Sequence, residues 1–523
     1  MDLKNLNAIQ KASRHHNQTV QRIGIALLFL VGIVFYTLGR GESSLMLVIS
    51  AVIGAYMAMN IGANDVANNV GPAVGSRALT MFGALAIAAV FEAAGALIAG
   101  GEVVGTIRSG IIDPAGITNP DTFIWIMLSA LLAGAVWLNV ATAVGAPVST
   151  THSIVGSVLG AGVAAAGMDI ANWSTLGTIA ASWVISPVLG GVVAAALLYV
   201  IKRSITYRQD MAGAAGKVVP LLIALMTWTF STYLLLKGLN RILSVSFLTA
   251  TVIGAVLAAV AYAGTRPFIL RKARLSANTK RGVNAFFTVP LIFAAALLSF
   301  AHGSNDVANA IGPLAAIVDA LGRHDGIAQS ASIPLWVMMI GAVGISFGLA
   351  LFGPKVIRTV GSEITELDQM RAYCIAMSAT LTVIVASQLG LPVSSTHIAV
   401  GGVFGVGFLR EYLKNRYANM VADIKAHHPE DDQEAIDSFL RAFEKASIAD
   451  KGLMLKELKR RSKARMDPAH FSKLERKGLR KLYKNELVKR SQIMRIVAAW
   501  IITVPVSALL AAGIYFVIHG IHL

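Results

Sequence analysis

The sequence predicts an all-α polytopic membrane protein of two inverted-topology repeats, with broken helices, re-entrant hairpins and about 10–12 membrane segments. Three observations predict it. Of 523 residues, 55% are hydrophobic and 14% charged, with a mean hydropathy of +0.65, whereas a soluble domain carries about 25% charged residues. The basic residues gather in a few stretches between apolar runs. Two apolar blocks match each other motif for motif.

The apolar runs set the spans. Ile23–Leu38, Val218–Leu236 and Phe247–Ala263 are long enough, or nearly so, to cross a hydrocarbon core of roughly 30 Å. The first run is not followed by a small-residue cleavage site, so it reads as a true span rather than a removed signal. The net charge of +17 would suggest nucleic acid in a soluble chain. Clustered between spans, it is instead the positive-inside signature, and no nucleic-acid partner is expected. Cys374 is the single cysteine and sits in an apolar run, so packing is its expected role and an internal disulfide is excluded.

Charge also sets the order of segments. The tail and first span (1–44) start inside, with Lys4, Lys11, Arg14 and Arg22, and reach the outside at Glu42–Ser44. The first repeat (45–201) ends inside at Lys202, Arg203, Arg208 and Lys217. Two linking spans and basic loops (202–285) lead to Arg266, Arg271, Lys272, Arg274, Lys280 and Arg281, again inside. The second repeat (286–409) therefore begins inside, and its last span (494–523) carries the C-terminus outside. Between them lies a polar insert (410–493). Its residues 410–490 hold 21 Lys and Arg against 13 Asp and Glu, which places it in the cytoplasm, with helices expected over Asp432–Lys445 and Lys451–Arg465. Such an insert suits a basic surface lying on anionic lipid, or a regulatory element.

The two blocks share an order of motifs. Gly62-Ala-Asn64-Asp65-Val-Ala-Asn68-Asn69-Val-Gly71-Pro72 answers Gly303-Ser-Asn305-Asp306-Val-Ala-Asn309-Ala-Ile-Gly312-Pro313. Pro147-Val-Ser149-Thr150-Thr151-His152 answers Pro392-Val-Ser394-Ser395-Thr396-His397. Trp183 through Pro187 loosely answers Trp500 through Pro505. Long motifs in one order mark a duplication. The opposite starting sides of the two copies make it an inverted one, a frequent transporter architecture with its binding elements near the midplane.

The motifs divide into a cation side and an anion side. Asp65 and Asp306 lie in apolar blocks, where a carboxylate costs about 2.5–3.5 kcal/mol on insertion scales unless a cation, a proton or water meets it. Asn64, Asn68, Asn305 and Asn309 stand beside them at helical spacing, offering hard oxygen ligands suited to Na⁺. The flanking Gly and Gly-Pro are expected to break the helix and free backbone carbonyls. A polar knot that glues helices together is the bland alternative, weakened by the duplication. Ser149, Thr150, Thr151, Ser394, Ser395 and Thr396 fall in the first turn of helices opened by a proline. There, free N–H groups, hydroxyls and the helix dipole favour an oxyanion. Ile154–Gly167 and Ile398–Gly407 would form the second arms of re-entrant hairpins. His152 and His397 are expected to bridge helices. Glu92 sits mid-span, lacks an acidic counterpart in the second repeat (Ile345 stands there) and needs a partner, which makes it a coupling-site candidate. Glu102 and Arg108 are expected to face water at a helix end.

These two duplicated motifs resemble the signature of the inorganic phosphate transporter family, over roughly residues 45–201, 286–409 and 494–518. The resemblance implies cation-coupled uptake of phosphate by an elevator-like or rocking motion, in a homodimer, with phosphate held between the two hairpin tips. It implies that Asn64, Asp65, Asn305 and Asp306 hold cations, with Asp65 and Asp306 as the metal ligands if the ion is Na⁺ rather than H⁺. It implies that the six hydroxyl residues hold phosphate. No cofactor beyond bound phosphate and Na⁺ is expected. The expected setting is the lipid bilayer of a bacterial inner membrane, and no enzyme activity is expected. Three alternatives remain: a sulfate permease of the same family, an anion channel, and an intramembrane hydrolase, against which the lack of a Gly-X-Ser-X-Gly elbow counts.

Overall fold

The structure, a computed structural model, describes residues 3–41, 44–117, 119–144, 148–238, 245–322, 333–363, 367–426 and 490–522. Pro147 and the helices expected over 432–445 and 451–465 lie outside the described residues. Among the described residues, eleven helices are long and apolar enough to cross a membrane, and Thr150–Ala166 is a shorter apolar one. The α-helices of the described residues, spanning or not, are in chain order α1 (Leu3–Leu38), α2 (Leu45–Gly75), α3 (Met81–Ala99), α4 (Gly101–Gly105), α5 (Pro120–Val144), α6 (Thr150–Ala166), α7 (Trp173–Ile201), α8 (Met211–Lys237), α9 (Phe247–Leu275), α10 (Lys280–Asn284), α11 (Thr288–Asp306), α12 (Ala308–Gly322), α13 (Leu335–Glu363), α14 (Gln369–Gln388), α15 (Ser395–Ala426) and α16 (Arg490–His522). The protein is an integral, multi-pass helical membrane protein.

The repeats exchange partners. α2 packs on α13 and α11 on α3, while α6 packs on α16 and α7 on α15. Glycines make these crossings close. A Cβ on Gly62 would enter the carbonyl oxygen of Ile345, and one on Gly303 would enter that of Glu92. Gly62 and Gly303 hold the same place in the two motifs, and Ile345 and Glu92 correspond likewise. Gly156 against the Val504 carbonyl answers Gly401 against that of Pro187 in the same way. Helices that touch backbone to backbone pack by close van der Waals fit, the main attraction left where lipid is as apolar as the side chains.

Several expectations need correction. The first Asn-Asp motif does not break its helix: α2 runs unbroken from Leu45 to Gly75 with Pro72 inside. Pro72 falls in the last turns, so it costs one helix bond and frees one carbonyl, that of Asn68. The second motif is interrupted at the single residue Val307, between α11 and α12, and Pro313 likewise frees Asn309. α15 continues past Gly407 to Ala426 rather than ending a short hairpin arm, since 408–426 contains neither Gly nor Pro. Much of the second basic "loop" is helical, because α9 runs to Leu275 and carries Arg266, Arg271, Lys272 and Arg274. Arg108 does not face water. It lies in a π-helical turn, Thr106–Gly110, that directs it into the interior, where it pairs with Asp319 of α12 at 2.7 Å. Glu102 is exposed, as expected, and meets Lys237 at 3.0 Å.

Candidate functional site

The site forms where the N-termini of α6 and α15 meet the Asn-Asp segments of α2 and α11–α12. The N-cap residues are Ser149 and Ser394: each hydroxyl accepts the backbone N–H three residues on, from His152 at 3.1 Å and His397 at 3.3 Å. Capping fixes both first turns and leaves the next two hydroxyls of each helix pointing inward. The tips touch directly, since Thr151 Oγ1 donates to the Val393 carbonyl at 2.9 Å.

Each Asn-Asp segment serves the hairpin of the other repeat. Asn68 donates to Thr396 Oγ1 at 2.8 Å, and Thr396 donates to Asp65 Oδ1 at 3.0 Å. Asn309 donates to Thr150 and Thr151 at 3.2 and 3.3 Å. Asp306 Oδ2 accepts from both hairpins, from Thr150 at 3.4 Å and Ser395 at 3.3 Å. The preceding asparagines instead brace their own repeat. Asn305 donates to Ser387 at 3.0 Å and to the Leu391 carbonyl at 3.1 Å, and accepts from Val393 N–H at 3.3 Å. Asn64 meets Thr142 at 3.0 Å. The amide orientation that satisfies all its neighbours has its nitrogen donating to the Val148 carbonyl and to Asp65, both at 3.2 Å.

All thirteen residues singled out by sequence are buried. The hydroxyls of Thr150, Thr151, Ser395 and Thr396 meet Asp65, Asp306, Asn68 and Asn309 at one spot; Ser149 and Ser394 cap the two helices beside it and Asn64 and Asn305 flank it. Glu92 stands one residue further out. It accepts from Asn69 at 2.7 Å and lies 3.4 Å from Nδ1 of His302. His302 joins it to the centre: its Nε2 is 2.9 Å from Asp306 and 3.8 Å from Asp65. The sequence reading missed His302 and Asn69. The signal was present, because His302 and Asp306 are four apart on one helix. This arm has no twin in the other repeat, where the corresponding residues are Ile61 and Ile345.

One atom from each of Asp65, His302 and Asp306 lies within 4.8 Å of the others. Among the described residues, no hydrogen-bond donor meets the buried Asp306 Oδ1, Asn309 Oδ1 or Asp65 Oδ2. Two buried carboxylates and an amide oxygen with spare lone pairs are the donor set a small hard cation takes. Behind the hydroxyls, His152 and His397 bridge helices as expected. They meet edge to face at 4.4 Å, and each stacks on a tryptophan, His152 on Trp183 at 3.7 Å and His397 on Trp500 at 3.5 Å.

The profile of the phosphate transporter family matches residues 61–511, from the first Asn-Asp segment into the last span. The chain belongs to the phosphate transporter family. Among its relatives, a Helicobacter pylori protein provisionally named a phosphate permease is 53% identical over 524 residues, covering 98% of each chain. One of the same name from Chlamydia trachomatis is 40% identical, covering 70% of this chain and 90% of its own. A solved structure described as the sodium-dependent phosphate transporter superposes with a TM-score of 0.74 at 30% identity, covering 91% of this chain and all of its own. The family match begins after α1, so that helix stands outside it.

Proposed function

We propose that the protein is a cation-coupled symporter of inorganic phosphate, with the anion held between the starts of α6 and α15. One observation carries the reading: two buried carboxylates, one from each repeat, lie beside two hydroxyl-rich helix N-termini that face each other. In this reading Ser149, Thr150, Thr151, Ser394, Ser395 and Thr396 bind phosphate, with the backbone N–H groups and dipoles of both helices. Asp65 and Asp306, with Asn68 and Asn309, take the cations, and Asn64 and Asn305 hold the Asn-Asp segments in register. Na⁺ is favoured as the coupling ion by the oxygen donor set, and the description of the similar solved structure supports it.

The coupling is electrostatic. Thr150, Ser395 and Thr396 donate to the carboxylates in the geometry described. A cation bound to Asp65 or Asp306 competes for those oxygens and releases the hydroxyls to donate to phosphate. The cation also cancels the charge that would make a dianion at the midplane too costly to carry. Neither ligand alone satisfies the site, so both travel together. Sulfate is the nearest rival. A phosphate that retains a proton has a donor for a carboxylate, and sulfate has none, so the two acids favour phosphate.

Asp65→Asn and Asp306→Asn test the scheme. Each keeps the size and loses the charge, and each should abolish Na⁺-driven accumulation of labelled phosphate in proteoliposomes while the protein stays folded by size-exclusion and thermal unfolding. Wild-type accumulation by either variant would sink it. Imposing Na⁺ and pH gradients one at a time identifies the ion, and excess unlabelled sulfate in the same assay tests the choice of anion.

A further inference from the structure

A cavity of about 710 Å³ opens between α1, α2, α5 and α13, in the size range of sites that take small molecules. Among the described residues that line it, three are cations, Arg22, Lys355 and Arg358, and none is acidic. They belong to one end of the α1–α13 pair. Arg40 lies over Trp336 at 4.9 Å and Phe29 stacks on Phe347 at 4.6 Å. The two helices are therefore antiparallel, which brings Arg22 level with Lys355 and Arg358. Lys355 reaches over the first hairpin, its Nζ donating to the Ala143 carbonyl at 3.3 Å.

The opposite wall is polar and leads inward. Asn60, Asn139 and Thr142 line the cavity. Asn139 donates to Asn60 at 3.3 Å, and Thr142 touches Asn64 at 3.0 Å. Asn64 lies one turn beyond Asn60 on α2 and is bonded in sequence to Asp65. The second repeat lacks this strip, since Ala301 and Ile384 replace Asn60 and Asn139. The three cations in low-dielectric walls focus an attractive field on an oxyanion at the mouth, and the polar strip leads from there toward the central site.

We propose that Arg22, Lys355 and Arg358 form a second binding site for a phosphate group, at the mouth of this cavity on the way to the central site. Only its place on the route rests on the symport reading; the site itself does not. The phosphate group can belong to free inorganic phosphate, gathered before or after its passage, or to an anionic lipid whose chain lies along Ile23, Leu27 and Leu30.

The test uses the full-length protein in nanodiscs and the variant Arg22→Gln/Lys355→Gln/Arg358→Gln, with Arg22→Lys/Arg358→Lys retaining the charge. Equilibrium binding of labelled inorganic phosphate is measured in phosphatidylcholine. Thermal unfolding is measured with and without added phosphatidylglycerol. If the ligand is free phosphate, the wild type shows a weak class of sites beside a tight one, and the glutamine variant loses the weak class with its affinity down about tenfold or more. If the ligand is lipid, phosphatidylglycerol raises the unfolding midpoint of the wild type and of the lysine variant but not of the glutamine variant. Single glutamine variants at each position, each reducing the effect in part, serve if the triple variant does not fold. Variants equal to wild type in both measurements would overturn the proposal. A wild type that shows the weak class, lost in the glutamine variant, but no tight class would count against the central site and support this one.

Discussion

Replacing Gly303 by alanine perturbs the site through the backbone alone. The new Cβ would fall on the carbonyl oxygen, carbon and Cα of Glu92, all closer than 3.0 Å, whereas ordinary contact begins near 3.4 Å. The obstacle is main chain on both sides, so no side chain can swing away. Helices α11 and α3 must part by about 1 Å, a change of the size that overpacking penalises by about 1–3 kcal/mol. His302 precedes Gly303, and its 3.4 Å approach to Glu92 spans this same crossing. Parting the helices stretches that contact and draws Glu92 away from His302 and the carboxylates it faces. A misplacement of about 1 Å at a binding centre can cost about a hundredfold in rate. Gly303→Ala should therefore lower the unfolding midpoint by several degrees and cut phosphate uptake in proteoliposomes by tenfold or more. Gly62→Ala should destabilise comparably, because the Ile345 carbonyl blocks it in the same way. Its crossing involves Ile61 and Ile345 rather than His302 and Glu92, so its uptake should fall less at equal destabilisation. Gly513→Ala, where nothing lies within 4 Å, is the control. Unchanged uptake and stability in Gly303→Ala would refute the argument.

Asn309→Ala should weaken phosphate transport in a protein that still folds, with a lower unfolding midpoint. It removes both donors to Thr150 and Thr151, worth about 1–3 kcal/mol where the partners stay buried, and KM should rise at least tenfold; a wild-type KM would show those hydroxyls to be ordered by something else. His397→Ala should lower the unfolding midpoint, because it removes the ring between Trp500 and His152. Such contacts are worth about 0.5–1.5 kcal/mol. His397→Phe keeps the stack and should restore stability and uptake, so failure of the phenylalanine variant with a normal midpoint would mean that the imidazole nitrogens take part in transport.

Much of the centre was legible in the sequence for a physical reason. A carboxylate or a cluster of hydroxyls in an apolar run is expensive, so its presence there signals use, and finding it twice removes coincidence. Asp65, Asp306 and the six hydroxyl residues were picked out this way; all are buried, and Thr150, Ser395 and Thr396 bond the two carboxylates directly. His302 escaped the same reasoning. A single histidine in an apolar helix is common, and its role depends on three carboxylates of which two come from other helices. Arg108 was misjudged because its surroundings in sequence are a glycine-rich helix end, while its partner Asp319 is 211 residues away. The helix breaks were over-read, since Gly and Pro raise the cost of helix without forbidding it when the surrounding helices hold the segment.

The sequence by itself determined the solvent and the parts: composition dictated a bilayer, and the repeated motifs marked two related halves. It also determined which residues share a turn, because helix periodicity is local. Only the tertiary structure decided how the halves combine. Asn68 serves Thr396, 328 positions along the chain, rather than the hydroxyls of its own repeat. Glycine-lined crossings choose that exchange by letting backbones meet, and no local pattern encodes which backbone will be opposite. The same crossings brought His302 and Glu92 together in one half and left Ile61 and Ile345 in the other. A pair of matching motifs thereby became a centre that is symmetric in its hydroxyls and asymmetric in its charge.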